Sequence, residues 1–229
     1  MKLGDLRGKL VYQGILLGAV TLLTGGALAL ADRATEADIQ AAQARDMQQS
    51  LAQVLPGHYD NDLLKDTVTV PGPDGSITVY RARRAGKVEA VVFQVQAQGY
   101  AGPVVSMMGV DRTGQVLGVR VIKHKETPGL GDRVEPAKSD WIHSFEHKFF
   151  GNPPADKWAV RKDGGVFDQF SGATITPRAV VKSVKGGLEF FQNEKTRLLD
   201  DNASAAAAEP HAGSIIAAKN APKENEHEQ

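Results

Sequence analysis

The chain has 229 residues, enough for one well-packed domain with appendages. Lys+Arg and Asp+Glu both number 27, so the formal net charge is zero and the basic excess that marks a nucleic-acid binder is missing. The absence of cysteine excludes disulfides, thiolate chemistry, Cys-ligated iron–sulfur clusters and Cys-type zinc sites, and 6% aromatic residues argue against a stacking platform for single strands. A redox role would therefore need a bound organic cofactor or a His/carboxylate metal site.

Leu10 to Ala31 reads LVYQGILLGAVTLLTGGALALA, without a charge. It has the roughly 20 residues that a helix needs to cross a bilayer core. Lys2, Arg7 and Lys9 precede it against one acid, Asp5, so the positive-inside bias keeps the N-terminus cytoplasmic and exports the rest to the periplasm. A cleaved signal peptide is the rival reading, since Ala29-Leu30-Ala31 has the small-x-small form before Asp32, but the apolar run is long for one. An uncleaved anchor is expected.

Thr35 to Leu55 is an Ala- and Gln-rich helix with an apolar stripe of Ile39, Met47, Leu51, Val54 and Leu55. Thr35 is its expected N-cap and Pro56-Gly57 its stop, so it can continue the membrane helix as a stalk. Pro71-Gly-Pro-Asp-Gly75 is a turn. Ile77–Tyr80, Val88–Gln96, Val104–Val110 and Val116–Val121 read as strands, the last two joined as a hairpin by Asp111-Arg-Thr-Gly114. After the loop Lys123–Asp132, a helix is expected over Lys138–Phe150, with Trp141, Ile142, Phe145 and Phe149 on one side and Asn152-Pro-Pro154 ending it. Trp158–Arg161 reads as a short strand and Lys162-Asp-Gly-Gly165 as a turn. Thr176-Pro177 predicts a helix start, Thr as N-cap and Pro as first helical residue, followed by Val180, Val181, Val184, Leu188 and Phe191 at helical spacing. From Asp200 to Gln229 the composition lacks periodicity and predicts a disordered tail. The fold class is α+β: a single N-terminal transmembrane helix, then an exported domain of antiparallel sheet and packed helices. The expected boundaries are 1–9 (cytoplasmic), 10–31 (anchor), 32–57 (helical stalk), 58–199 (domain) and 200–229 (tail).

Two segments carry the chemistry. Asp168-Gln-Phe-Ser-Gly-Ala-Thr174 sets hydroxyls in a Gly/Ala turn just before a helix start, where Gly172 permits positive φ and small neighbours permit close approach. By itself Ser-Gly-Ala-Thr is an ordinary turn. Glu126-Thr-Pro-Gly-Leu-Gly131 is a tight loop whose backbone N–H groups could line a flat ligand, or which is simply a surface turn. Lys123, His124 and Lys125, which precede it, either face a bound anion or are solvated. His143 and His147, four apart on the expected helix, offer a metal two imidazoles but no third ligand, so a surface or interface pair is the reading. No catalytic or metal-ligating residue is assigned.

Asp168–Thr174 resembles the flavinylation site of the FMN-binding domain family, Asp-x-x-Ser/Thr-Gly-Ala-Thr. Further phrases are similar to the G subunit of the Rnf (Rsx) ion-translocating electron-transport complex: Gly99-Tyr-Ala-Gly-Pro103, Gly118-Val-Arg-Val-Ile122, His124–Asp132, Trp141-Ile142, Trp158-Ala-Val160, Lys162-Asp-Gly-Gly165 and Phe167–Arg178. The likeness covers most of Met1–Asn193 and leaves the Ala-rich tail aside. It implies a periplasmic FMN-binding domain whose Thr174 carries FMN through a phosphoester bond; Thr176, two residues on and able to face the same way in an extended stretch, competes as acceptor by spacing alone. Ser171, Gly172, Ala173, Thr176, Glu126, Thr127, Gly129 and Leu130 would contact the cofactor, with the Glu126–Gly131 loop beside the isoalloxazine ring. Asp168 would belong to the signal read by the attaching flavin transferase, which uses FAD and Mg²⁺. The partners implied are the membrane and iron–sulfur subunits of a complex that moves electrons between ferredoxin and nicotinamide nucleotide while translocating cations. A helix N-terminus near Thr174 would favour the phosphate. Alternatives are the C subunit of the sodium-pumping NADH:quinone reductase, which shares the motif, and a membrane-anchored binding module without redox function.

Overall fold

The computed structural model describes residues 10–72, 75–201 and 216–217. The expected cytoplasmic residues 1–9 and nearly all of the expected tail lie outside the described residues. The chain divides into two units, Met1–Met47 and Gln48–Gln229.

In the first unit lies most of α1 (Leu10–Val54), which passes through Gly25-Gly26 and Ala31-Asp32 without a break. Thr35 is therefore not an N-cap: it sits within the helix, and its hydroxyl donates to the carbonyls of Ala31 and Asp32 at 2.9 and 3.2 Å. No helix breaker separates the apolar run from the Ala/Gln-rich one, so the two join. Among the described residues this is the one helix long and apolar enough to cross a membrane. Ile15, Leu17, Leu22, Leu23, Leu28 and Leu30 all stand exposed along it, an apolar surface suited to lipid.

The second unit is built on an antiparallel meander of β1 (Thr67–Gly72), β2 (Gly75–Arg84), β3 (Lys87–Gln98), β4 (Pro103–Asp111) and β5 (Val116–Lys123), in that spatial order. The register pairs Phe93 with Met108, Met108 with Val119 and Gly109 with Gly118. One sheet face, carrying Phe93, Val95 and Met108, receives α2 (Ile175–Leu198), where Gly187 lets the helix approach: a Cβ there would lie 2.8 Å from both Met108 Sδ and Val95 Cγ1. Phe190 meets Phe93 edge-on at 5.3 Å. On the opposite face, Val54 at the end of α1 rests on the Gly109–Gly118 pair. Its neighbours Leu51 and Leu55 are also buried. A short strand, β6 (Ile216–Ala217), pairs in parallel with Val95–Gln96. The α+β class and the antiparallel sheet with packed helices stand as expected.

Between β5 and α2 the chain is mostly 3-10 turns. The helix expected over Lys138–Phe150 is reduced to Asp140–Phe145, where the Ser139 side chain accepts the Trp141 N–H. It cannot extend because the following residues join the sheet: the N–H of Val116 bonds Lys148 O and the N–H of His147 bonds Val116 O, with His147 at φ +63°. His143 and His147 thus share no helix face, and His143 Nδ1 lies 2.6 Å from Glu146 Oε1. The strand expected at Trp158–Arg161 is a single bridge from Val160 to Phe167 between turns at Ala155–Lys157 and Arg161–Asp163. Phe145, Trp158, Phe167 and Phe170 close the core here, with Phe145 stacked on Phe167 at 4.7 Å.

Candidate functional site

Phe167 and Phe170 are buried in the aromatic cluster, so the two residues between them, Asp168 and Gln169, are pushed outward. The indole N–H of Trp141 donates to Asp168 O at 2.8 Å, while Trp141 packs edge-on against Phe170 at 5.1 Å. The Asp168 carboxylate pairs with Arg161 at 2.9 Å, both side chains about two-thirds exposed. The chain then turns through Ser171 and Gly172, the glycine at φ +80°, with the Ala173 N–H closing on Phe170 O at 3.2 Å.

α2 begins earlier than the sequence suggests. Thr174, not Thr176, is its N-cap, with φ −70° and ψ −25° and no side-chain cap hydrogen bond. Its hydroxyl is therefore not committed to the helix terminus, and the first backbone N–H groups of α2 beside it have no intrahelical acceptor. Thr176 is fully buried and donates its hydroxyl to Glu126 Oε2. The cap role assigned to Thr176 is overturned because the helix already begins at Ile175, which makes Thr176 its second residue. Pro177 falls third in the helix, still within the turn whose N–H groups lack partners.

The loop Glu126–Gly131 lies against this start. Glu126 is buried, whereas Thr127, Pro128, Gly129 and Leu130 lie at or near the surface. The N–H groups of Leu130 and Gly131 both bond Thr127 O at 3.1 Å, so these two are used within the loop rather than presented outward. A Cβ on Gly172 would touch Leu130 Cδ2 at 3.5 Å, which brings loop and motif together. Leu130, beside Gly172, and Ile175, next to Thr174 in the chain, are 43% and 45% exposed. His124 is neither solvated nor turned outward. Its Nδ1 accepts the Glu126 N–H at 3.1 Å, which leaves the proton on Nε2 to donate to Glu135 at 2.7 Å.

A third segment, the β3–β4 turn, carries little sequence signal of a role here. Its Ala101 N–H donates to Glu126 Oε1 at 3.1 Å and its Gly99 N–H to Gly102 O at 2.8 Å. The one local cue is the pair of glycines flanking Tyr100-Ala101. Trp141 has the spacing of a core residue, yet an indole N–H normally requires an acceptor, and that cue points to its bond with the motif.

Residues 99–189, which include all three segments, match the FMN-binding domain family. The G subunit of the ion-translocating oxidoreductase complex of Stutzerimonas stutzeri is 48% identical over 192 residues, covering 83% of this chain and 84% of that protein. The chain belongs to the G-subunit family. The G subunit of Cereibacter sphaeroides (strain ATCC 17029) is 46% identical over 197 residues, covering 85% and 90%. A crystal structure of the C subunit of the Na(+)-translocating NADH-quinone reductase from Parabacteroides distasonis is 18% identical and covers 67% of this chain and 93% of that one, with a TM-score of 0.47. The resemblance to the G subunit read from the sequence phrases is borne out, and the FMN-binding family agrees with FMN as cofactor. Ser171, Gly172 and Leu130 are exposed and Ala173 and Thr174 half-buried, whereas Glu126 and Thr176 are buried. Among the described residues no group of three or more His, Asp or Glu side chains is placed to hold a metal.

Proposed function

We propose that this chain is a membrane-anchored electron-transfer subunit of an ion-translocating oxidoreductase complex and carries FMN as a phosphoester of Thr174. The observation that carries the assignment is the contrast between the two threonines. Thr174 holds an uncommitted hydroxyl at the head of α2, and Thr176 spends its own on a buried carboxylate. The site fits the cofactor in three respects: a reachable hydroxyl, helix N–H groups able to receive a phosphate, and exposed Leu130 and Ile175 for a flat ring. Bound there, FMN supplies the one- and two-electron chemistry that the side chains lack.

Attachment is a transfer from FAD by a Mg²⁺-dependent flavin transferase. Thr174 Oγ bonds to the phosphorus on the FMN side of the pyrophosphate, the bond to AMP breaks, AMP leaves and the hydroxyl proton is released. Asp168 is exposed and held by Arg161, as a recognition element for that enzyme would need to be. Leu10–Ala31 anchors the chain, a reading supported by the unbroken course of α1 past the possible cleavage point, and Lys2, Arg7 and Lys9 hold the N-terminus in the cytoplasm with the domain in the periplasm. Electrons pass through the protein between ferredoxin and nicotinamide nucleotide by way of the membrane and iron–sulfur subunits of the complex.

Coexpression with the transferase followed by ultraviolet imaging of a denaturing gel tests this. The wild-type and Thr176→Ser bands fluoresce, the Thr174→Ala band is dark, and the mass increment maps to the Thr174 peptide. A dark wild-type band overturns the covalent reading.

A further inference from the structure

Glu126 is 6% exposed in a loop whose next four residues lie at or near the surface. Both carboxylate oxygens point inward. Oε1 accepts the Ala101 N–H of the β3–β4 turn at 3.1 Å, and Oε2 accepts the Thr176 hydroxyl in the first turn of α2. The surrounding space is shaped for this group. A Cβ on Gly99 would come within 2.6 Å of Oε1, and one on Gly131 within 2.8 Å of both Oε2 and Thr176 Oγ1. Even the Glu126 backbone is held, its N–H donating to His124 Nδ1 at 3.1 Å. Each oxygen of this enclosed carboxylate is thus held by a protein donor, and the group is all but closed to the surface.

We infer that Glu126 is a positioning residue and not a cofactor contact. Its carboxylate ties the β3–β4 turn, the 126–131 loop and the start of α2 into one unit. Through Thr176 it sets where Thr174, two residues earlier, presents its hydroxyl, and through the loop it keeps Leu130 against Gly172. The inference rests on Thr174 being the flavin acceptor for one of its readouts only, since the tether itself exists without FMN.

The full-length protein in detergent micelles is compared with Glu126→Gln, Glu126→Ala and Thr176→Ser. Two quantities are measured: the initial rate of transferase-catalysed FMN incorporation, and hydrogen exchange at the Ala101 amide before any flavin is attached. Thr176→Ser keeps the donor and incorporates at the wild-type rate. Glu126→Gln retains an oxygen for the Ala101 N–H, protects that amide and is slowed slightly. Glu126→Ala leaves Ala101 unprotected and slows incorporation by up to about a hundredfold, the scale on which a misplaced reacting group loses rate. The folded transition in tryptophan fluorescence shows that each variant compared is native, and if Glu126→Ala is not, a rate in Glu126→Gln equal to wild type together with a slow Thr176→Ser decides against the tether. Incorporation at the wild-type rate in native Glu126→Ala, or an Ala101 amide as protected there as in wild type, overturns the inference. If the wild type itself takes up no FMN, it is the acceptor reading that fails, and the Ala101 amide still decides the tether.

Discussion

Leu130 rests on Gly172: a Cβ added to the glycine would meet Leu130 Cδ2 at 3.5 Å, an ordinary contact, while the glycine itself sits at φ +80°. The position therefore has room for a side chain but a backbone that resists one. Gly172→Ala is expected to destabilise the domain by about 1–2 kcal/mol from the left-handed conformation alone, and Gly172→Asn by less, because Asn tolerates that region. Urea unfolding followed by the fluorescence of the two tryptophans, both in this domain, measures it. Equal losses for Ala and Asn would show that steric contact with Leu130, not backbone strain, governs the site.

Asp168 separates recognition from stability. Its carboxylate joins an exposed pair with Arg161, while the bond from Trp141 goes to its backbone oxygen and survives substitution. Asp168→Asn should change stability by no more than about 0.5 kcal/mol, as exposed pairs do. If the transferase reads the carboxylate, the same variant takes up no FMN. Wild-type labelling of Asp168→Asn would remove Asp168 from the recognition signal.

Much of the domain is legible in the sequence because its signals are local. Alternating β-branched residues mark β2 to β5, and the 3.6-residue apolar repeat marks α2. β1 carries the same signal in Thr67-Val-Thr-Val70, but the prolines at 71 and 73 obscure it. The segment 138–167 misleads for the opposite reason. Trp141, Ile142, Phe145 and Phe149 have helical spacing, yet Lys148 and His147 are claimed by the start of β5, a partner distant in sequence. In the site, the motif's small residues disclose the turn and the helix after it. They cannot disclose that Thr176 bonds Glu126, 50 residues away, because a hydroxyl two residues into a helix looks the same in sequence as a cap.

Arg81 is fully buried, its Nε donating to Asp66 Oδ1 at 2.8 Å, and Arg83 Nε donates to Asp66 Oδ2 at 2.5 Å. Asp66 thus neutralises an enclosed guanidinium that water cannot reach. Asp66→Ala should destabilise by about 3–5 kcal/mol, the range for stranding one partner of a buried pair. Replacing Arg81 together with Asp66 by apolar residues should recover a large part of that loss. A single-variant loss under about 1 kcal/mol in the urea experiment would mean that the guanidinium finds water or another acceptor.

Val54 packs on Gly109 so closely that a Cβ on the glycine would lie within van der Waals overlap, 2.4 Å from the Val54 carbonyl oxygen. Backbone cannot rotate away as a side chain can, so Gly109→Ala forces the end of α1 off the sheet. The expected loss is about 1–3 kcal/mol, as for overpacking. Gly186→Ala serves as control, since nothing lies within 4 Å of its added Cβ and its backbone is helical. Thermal unfolding in micelles compares the two, and a loss at Gly109 no larger than at Gly186 would contradict the close contact.

Asp201 closes the domain's C-terminal edge and should give it an acid-sensitive component. Its Oδ1 accepts the Val88 N–H at 2.7 Å, and Arg112 Nη2 lies 3.2 Å from Oδ2. The Val88 N–H first, and the Arg112 guanidinium second, hold this carboxyl below the usual carboxylate range. Because the folded value lies below the unfolded one, the stabilisation is complete above the unfolded value, near pH ~4, and is lost as pH falls through the folded one. Asp201→Asn should therefore be less stable than wild type at neutral pH by an amount that stays constant down to about pH 5 and shrinks in more acid solution. The group is partly open to solvent, so added salt should narrow the gap at neutral pH as well. Thermal unfolding of both proteins from neutral pH to about pH 3 measures the difference, and a gap that widened on acidification would mean that the carboxyl is stabilised in its protonated form instead.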